Sequence, residues 1–193
     1  LNIVSDAIAE YNNLGVQLSY AYQTDLGDGQ LGIGASAGMF QSGLNGGNLI
    51  PSDIGDIAIP TGEVSGSALD FGGGLYYNTE DVYIGLSTLH ITEPTIENVE
   101  NIIGLSRHYF LLAGYYHEIN PIVSLNPSIY LKSDGSTSQL DINTNIIYNN
   151  KMWGGVSYRI DEGIALLTGM NITDDLKLGI AYDVVLNGQQ NNS

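Results

Sequence analysis

Cysteine is absent from this chain of 193 residues, which excludes disulfides and thiolate metal sites alike. Positive charge is scarce: 5 Lys plus Arg stand against 21 Asp plus Glu, a formal net charge of −16. Phosphate backbones demand basic partners, so nucleic acid is excluded as a ligand. Charge of either sign is thin, 13% of residues, against ~25% in a soluble domain. No run approaches the ~18 uninterrupted apolar residues of a membrane-spanning helix. If a membrane is involved, strands must cross it. The chain opens on Leu1 with no signal peptide, and LNIVSDAI reads as the tail of a strand already under way. The expectation is a single domain over residues 1–193, a fragment or processed chain whose terminal strands are missing.

What is present points to sheet. The hydrophobic share, 43%, is ordinary, and 25 glycines and 13 tyrosines favour strands and turns over helices. Turn-like clusters predict strands near 14–24, 31–43, 67–78, 82–91, 106–119, 123–133, 138–149, 152–160, 164–173 and 176–187, with a stub at 1–5. Most approach the ~9–11 residues a tilted strand needs to cross a bilayer. Alternation is cleanest late in the chain. Leu140, Ile142, Thr144, Ile146 and Tyr148 oppose Asp141, Asn143 and Asn145, and Leu176, Leu178, Ile180, Tyr182 and Val184 oppose Lys177, Gly179, Ala181 and Asp183.

The connections carry a second pattern. TDLGDGQ, NTED, INPI, NNK and TDD are short, and between them fall YNN, 44–66, 92–105, SDGSTS and RIDEG. Such parity is what an antiparallel up-and-down transmembrane β-barrel requires, with tight turns on the periplasmic side and larger loops outside. Tyr20, Tyr22, Tyr76, Tyr77, Tyr83, Tyr109, Tyr115, Tyr116, Tyr148, Trp153 and Tyr158 gather near strand ends, as interfacial girdles would. The segment RHYFLLAGYYHEI, 107–119, then reads as one spanning strand between Arg107 and Glu118.

Catalytic and ligand chemistry is thin. His90, His108 and His117 are the only histidines, and they lack metal-ligand spacing. GIGASAG, 32–38, has no following helix or basic residue, so it reads as a glycine-rich strand rather than a phosphate loop. No GxSxG elbow occurs, and the serines have no recognisable base partner. The reading is a non-enzyme without cofactor. Asp53, Asp56 and Glu63 in one larger loop, and Glu93, Glu97 and Glu100 in another, form acidic patches suited to a basic protein partner; they lack EF-hand spacing. The charges expected toward the lumen are sparse: Lys132, Asp141, Arg159, Lys177 and Asp183.

Five stretches carry a resemblance: FGGGLYYNTEDVYIGLSTLHI (71–91), LSRHYFLLAGYYHEI (105–119), LNPSIYLK (125–132), QLDINTNIIYNNKMWGGVSYR (139–159) and LKLGIAYD (176–183). Within them, Phe71, Gly72, Gly74, Tyr76, Gly85, Ser87, Arg107, His108, Tyr109, Phe110, Trp153, Gly155, Tyr158 and Arg159 are the matching motif positions, read as structural. In order and spacing, residues 71–185 resemble the PorP/SprF family of outer-membrane proteins from the type IX secretion and gliding systems of Bacteroidetes. The family's N-terminal Asn-Pro-Ala segment and its final strand ending in an aromatic residue are not seen. The resemblance implies a complete barrel of about fourteen strands, of which about ten lie here. It also implies a non-enzymatic role: export or anchoring of a surface cargo such as an adhesin with a type B C-terminal domain. Periplasmic ring components and lipoproteins of the same machine are the other implied partners, beside outer-membrane lipid. The residues alone leave two competitors open, an outer-membrane diffusion channel for small solutes and a soluble β-rich binding module.

Overall fold

A strand that alternates apolar and polar residues leaves its backbone amides unpaired until a neighbour arrives, and this chain brings one hairpin after another. The computed structural model describes residues 1–45, 62–97, 102–173 and 176–186. Its strands are β1 (Asn2–Ile8), β2 (Tyr11–Leu26), β3 (Gly29–Asn45), β4 (Glu63–Asn78), β5 (Val82–Leu89), β6 (Thr95–Glu97), β7 (Ile102–Gly104), β8 (His108–Tyr115), β9 (His117–Asn120), β10 (Val123–Ser133), β11 (Ser138–Tyr148), β12 (Met152–Arg159), β13 (Gly163–Asn171) and β14 (Lys177–Val185). One 12-stranded sheet runs in the order β1-β2-β3-β4-β5-β8-β10-β11-β12-β13-β14, with β9 also on β10. β6 and β7 form a separate antiparallel hairpin inside the connection from β5 to β8. The fold is an all-β antiparallel meander, and among the described residues there is no helix and no pairing joins β1 to β14.

Four sequence expectations need correction. The stub at 1–5 is a full strand, and YNN lies inside β2; the join is the pair Ala9 and Glu10, with Ala9 at φ 53°. The segment 106–119 is not one strand: it breaks at Tyr116, and the β9–β10 register slips between Val123 and Ser124. The bulge lets one chain segment follow the twist of its neighbour. The 92–105 connection holds strands of its own. Finally, Glu63 opens β4 rather than lying in a loop, and the joins at 9–10 and 160–162 are as tight as those expected on the other side.

The turns follow from their residues. Gly27, at φ 60°, opens the two-residue link between β2 and β3, where an L side chain would be strained. Asn149 and Asn150 sit at φ 51° and 53°, with Lys151 N–H donating to Tyr148 O at 3.0 Å. Two positive φ angles make this a type I′ turn, and asparagine tolerates them best after glycine. Between β10 and β11, one oxygen of Asp134 accepts the amides of Ser136 (2.9 Å) and Thr137 (2.7 Å). The Thr137 amide, then that of Ser136, holds the Asp134 carboxyl below its ordinary value.

The chain divides into two compact units, residues 1–22, 33–74 and 87–108, and residues 23–32, 75–86 and 109–193. In the second unit the register aligns like with like. Ala113, Ile129, Ile142, Tyr158, Ile164 and Val184 form one continuous row across β8 to β14. Thr144, Val156, Leu166 and Tyr182 form another, and Tyr148, Met152, Met170 and Leu178 a third. On the opposite face run Ser128, Asn143, Ser157, Ala165 and Asp183, and beside them Tyr130, Asp141 and Arg159.

Exposure is inverted relative to a water-soluble protein. Ile180 is 69% and Ile146 54% exposed, while Asn126 is 6% and Ser157 7%. The first unit repeats this, with Leu69 at 65% beside Asp70 at 8%. Open apolar surface costs roughly 25 cal/mol per Å² in water, and soluble monomers expose no such contiguous band. A sheet with one apolar face and one polar face is the arrangement a lipid surround stabilises.

Some aromatics depart from the girdle expected of them. Tyr20, Tyr22, Tyr109, Tyr148 and Tyr158 stand on the open face. Tyr83 and Trp153 instead turn to the polar face: Tyr83 Oη donates to Asn126 Oδ1 at 3.2 Å, and the Trp153 ring lies against Gly169 and Gly179. Their glycine partners leave a slot that a flat ring fills.

The two faces therefore differ in what they tolerate. Ile142→Arg should destabilise the folded chain in lipid vesicles by about 2–4 kcal/mol, whereas Asn143→Arg, one residue on, should cost less than about 1 kcal/mol. Urea titration of vesicle-bound protein measures both, and equal losses would contradict the assignment of faces.

Candidate functional site

Glycine lets two motif strands approach closely in the first unit. A Cβ at Gly72 would meet Ser36 Oγ at 2.7 Å and Leu89 Cδ2 at 3.0 Å, so β4 lies tight against its neighbours here. Ile91 N–H donates to Phe71 O at 3.0 Å just beyond the end of β5. The alternation of β4 leaves Leu69 and Phe71 open and turns Asp70 inward.

Asp70 and His90 then meet. His90 Nδ1 lies 2.9 Å from Asp70 Oδ2. An ionised carboxylate only accepts, so the ring proton sits on Nδ1. The same logic fixes His108, whose Nδ1 donates to Ser106 O at 2.8 Å. The two imidazoles pack edge to face with centroids 5.8 Å apart. Nothing in the spacing of the histidines showed this contact, because it joins the ends of two strands separated by a long connection. Asp70 itself carried a signal: an acid on the inward parity of a strand whose alternate residues are apolar.

Arg107 closes the base of that connection. Its Nε and Nη2 both donate to Ile91 O, at 3.0 and 2.6 Å, and Nη2 lies 3.7 Å from Glu93 Oε2. His90 and Glu93 sit at φ 55° and 48°, with Glu93 N–H donating to His90 O at 2.9 Å. A left-handed conformation costs a non-glycine residue roughly 1–2 kcal/mol. The Asp70 and Arg107 contacts offset this strain and hold the turn. Farther out, Leu105 N–H donates to Pro94 O at 3.1 Å, and Ile96 is 1% exposed.

The second unit carries its own polar station. Arg159 reaches Glu162 Oε2 through Nη1 at 3.3 Å. Its Nε lies 3.4 Å from Asp141 Oδ1 without hydrogen-bond alignment, so that contact is coulombic. Asn126 Nδ2 donates to Tyr115 O at 3.2 Å while its Oδ1 accepts from Tyr83. A Cβ at Gly114 would collide with the Tyr83 ring, and one at Gly155 with the Asn145 side chain. Phe110 stacks on Tyr130 at 6.2 Å. Lys132, Asp141, Arg159, Lys177 and Asp183 share the polar parity, as the register of β10 to β14 shows.

The remaining motif positions are plainly placed. Phe71, Tyr76, Tyr109 and Tyr158 are open, Ser87 is exposed on β5, Gly85 lies against the Tyr76 ring, and Gly74 is half-buried on β4. Of the acidic residues, Glu93 pairs with Arg107, Glu63 begins β4 in an exposed position, and Glu97 ends β6. Asp53, Asp56 and Glu100 lie outside the described residues. Among the described residues, no group of three or more His, Asp or Glu is placed to hold a metal ion.

Removal of the Arg107 clasp should loosen the connection without unfolding the sheet. Hydrogen bonds to a charged group contribute about 1.5–3 kcal/mol, so Arg107→Ala should speed amide exchange at Glu93 and Leu105 on the order of 10- to 100-fold. Exchange in β11 and β12 should not change. Unaltered protection at Glu93 would show that the clasp does not hold the loop.

No curated protein and no solved structure matches the chain. A family model does, described as type IX secretion system membrane protein PorP/SprF, and it covers residues 1–193, beyond the 71–185 on which the motif resemblance rests. Among the described residues no helix is long and apolar enough to cross a membrane. With the match extending over its whole length, the chain belongs to the PorP/SprF family of type IX secretion system membrane proteins, which reside in the bacterial outer membrane.

Proposed function

We propose that this chain forms an outer-membrane β-barrel that anchors or helps export a cell-surface cargo protein, such as an adhesin with a type B C-terminal domain. Closure is supported by the lipid itself. Each unpaired backbone group in hydrocarbon costs several kcal/mol, so the outer edges of β1 and β14 need partners there. The acidic connections 46–62 and 90–107 belong to the same parity of links in the meander. They form the cargo-gripping surface, through Asp53, Asp56, Glu93, Glu97 and Glu100, with Glu63 beside them at the start of β4. The tight links of the other parity face periplasmic ring components and lipoproteins of the same machine.

The observation that carries this reading is the built character of the 90–107 connection. A loop that merely joined two strands would need only two to five residues. This one spends its length on the β6–β7 hairpin, the buried Ile96 and the Arg107 clasp. A paired and clasped segment suits a docking surface, because little entropy is then lost on binding. A formal charge of −16 further favours a basic partner face.

Affinity purification in mild detergent tests the proposal. The intact chain should recover a secreted adhesin or its C-terminal domain. Replacement of residues 95–104 by a short Gly-Ser link should abolish recovery while heat-modifiable gel migration persists. Undiminished recovery would remove the connection from the docking surface, and a steady open conductance in planar bilayers with no cargo recovered would favour a diffusion channel.

A further inference from the structure

The first unit holds a boundary between two kinds of open surface. β2, β3 and β4 run 16, 17 and 16 residues, while a tilted strand needs only ~9–11 residues to cross the hydrocarbon. About six residues of each strand are surplus, roughly 20 Å at ~3.3 Å per residue. The open face shows where the surplus lies. Its large apolar residues include Leu18, Tyr20 and Tyr22 on β2, Ile33 and Met39 on β3, and Leu69 and Phe71 on β4. Toward the long connections the same face changes character. β4 presents Ser67, Ser65 and Glu63 there, alternating with half-buried Ala68, Gly66 and Val64. β3 continues past Met39 with Gln41 and Gly43, and a Cβ at Gly43 would stand 3.5 Å from that of Ser65. β2 supplies Asn12, and the β1–β2 register sets Ser5 opposite Leu14 and Ala7 opposite Asn12. Of this group only Leu14 is large and apolar. The reverse side is closed: Ser42 is 2% and Leu44 6% exposed.

We infer that this surplus section of β1 to β4 stands in the headgroup layer of the outer leaflet, and that its open face binds the saccharide of a glycolipid. Continuity is the first argument. These residues extend, on the same strands and the same face, the apolar rows that meet lipid, so the layer next to the hydrocarbon covers them. Charge is the second. Phosphate headgroups are held by clusters of Lys and Arg. The chain has 5 such residues, and none lies in β1 to β4. Glu63, at the end of the face, repels phosphate further. Side-chain chemistry is the third. Ser5, Asn12, Gln41, Ser65 and Ser67 are neutral and both donate and accept hydrogen bonds, which is what sugar hydroxyls require. Adjacent strands set them in rows ~4.8 Å apart. The inference rests on the reading that places the long connections outside the cell.

Spin labels on the full chain, one each at Ser65→Cys, Ser67→Cys, Leu69→Cys and Phe71→Cys, test both parts. In phosphatidylcholine vesicles without cargo, labels at 69 and 71 should favour oxygen, and labels at 65 and 67 a neutral nickel chelate. Oxygen preference at all four would overturn the boundary. Three titrations in detergent micelles then identify the ligand: a rough lipopolysaccharide with its core sugars, lipid A with the same phosphates and acyl chains but no core, and the free core oligosaccharide. The core-bearing lipid should shield the label at 67 from the chelate saturably, by at least threefold, and lipid A should not. Gln41→Ala combined with Asn12→Ala should raise the half-saturating concentration at least fivefold while the boundary in phosphatidylcholine stays in place. The free oligosaccharide should need at least tenfold more, since it lacks the anchor that concentrates sugar at the face. Equal shielding by lipid A, or none by the core-bearing lipid, would overturn the saccharide assignment. Equal potency of the free oligosaccharide would overturn the glycolipid source. Cargo purification enters none of these readings, so the two proposals fail separately.

Discussion

Apolar side chains with no protein interior to enter govern this structure. Leu44 and Ile96 are the only buried hydrophobic residues among those described, while Leu18, Leu69, Ile146, Ile180 and Tyr182 stand open on the sheet. Water would penalise that surface heavily, and lipid does not. Once the apolar rows are given to lipid, the polar rows must face the other way. The backbone must then satisfy itself entirely within the sheet, because hydrocarbon offers it no partner. The long, near-continuous registers of β10 to β14 are the consequence.

The polar face has a different logic. Its side chains lie close together because glycines remove bulk exactly where rings and amides need room: Gly114 beneath Tyr83, Gly169 and Gly179 against Trp153, Gly72 against Ser36. Fixed polar pairs then become possible at low exposure, as with Asn126 between Tyr83 and Tyr115, or Asp70 with His90. These pairs stiffen the sheet on its polar face. The Arg107 clasp extends the same principle to the strand ends, where it ties the two ends of a long connection together beside a strained but well-held turn.

Strand positions from β10 to β14 were legible in the sequence because period-two alternation is a one-dimensional signal, and there a single residue type dominates each face. Upstream, β3 was harder: small residues such as Gly34, Ala35 and Ser36 mark both faces alike. The break at Tyr116 could not be read, since a bulge depends on the twist of the neighbouring strand. Nor could the β6–β7 hairpin, whose strands are three residues each and stabilised by the burial of Ile96. The acidic residues of the long connections were visible as charge. The Asp70–His90 contact was not, because residues 20 apart meet only after the β4–β5 hairpin sets their register. Motif membership pointed to Arg107 and His108, and the structure supplied their partners, the Ile91 carbonyl and the His90 ring.

The absence of cysteine makes the central claim directly measurable, since a spin label can be placed at single introduced cysteines with no background thiol to remove. Labels at successive positions 140–148 of β11, in lipid vesicles, report collision with apolar oxygen and with a water-soluble nickel chelate. Oxygen accessibility should peak at 140, 142, 144, 146 and 148, and chelate accessibility at the positions between them. A flat profile, or alternation in the opposite phase, would contradict the account that this sheet turns its apolar face to lipid.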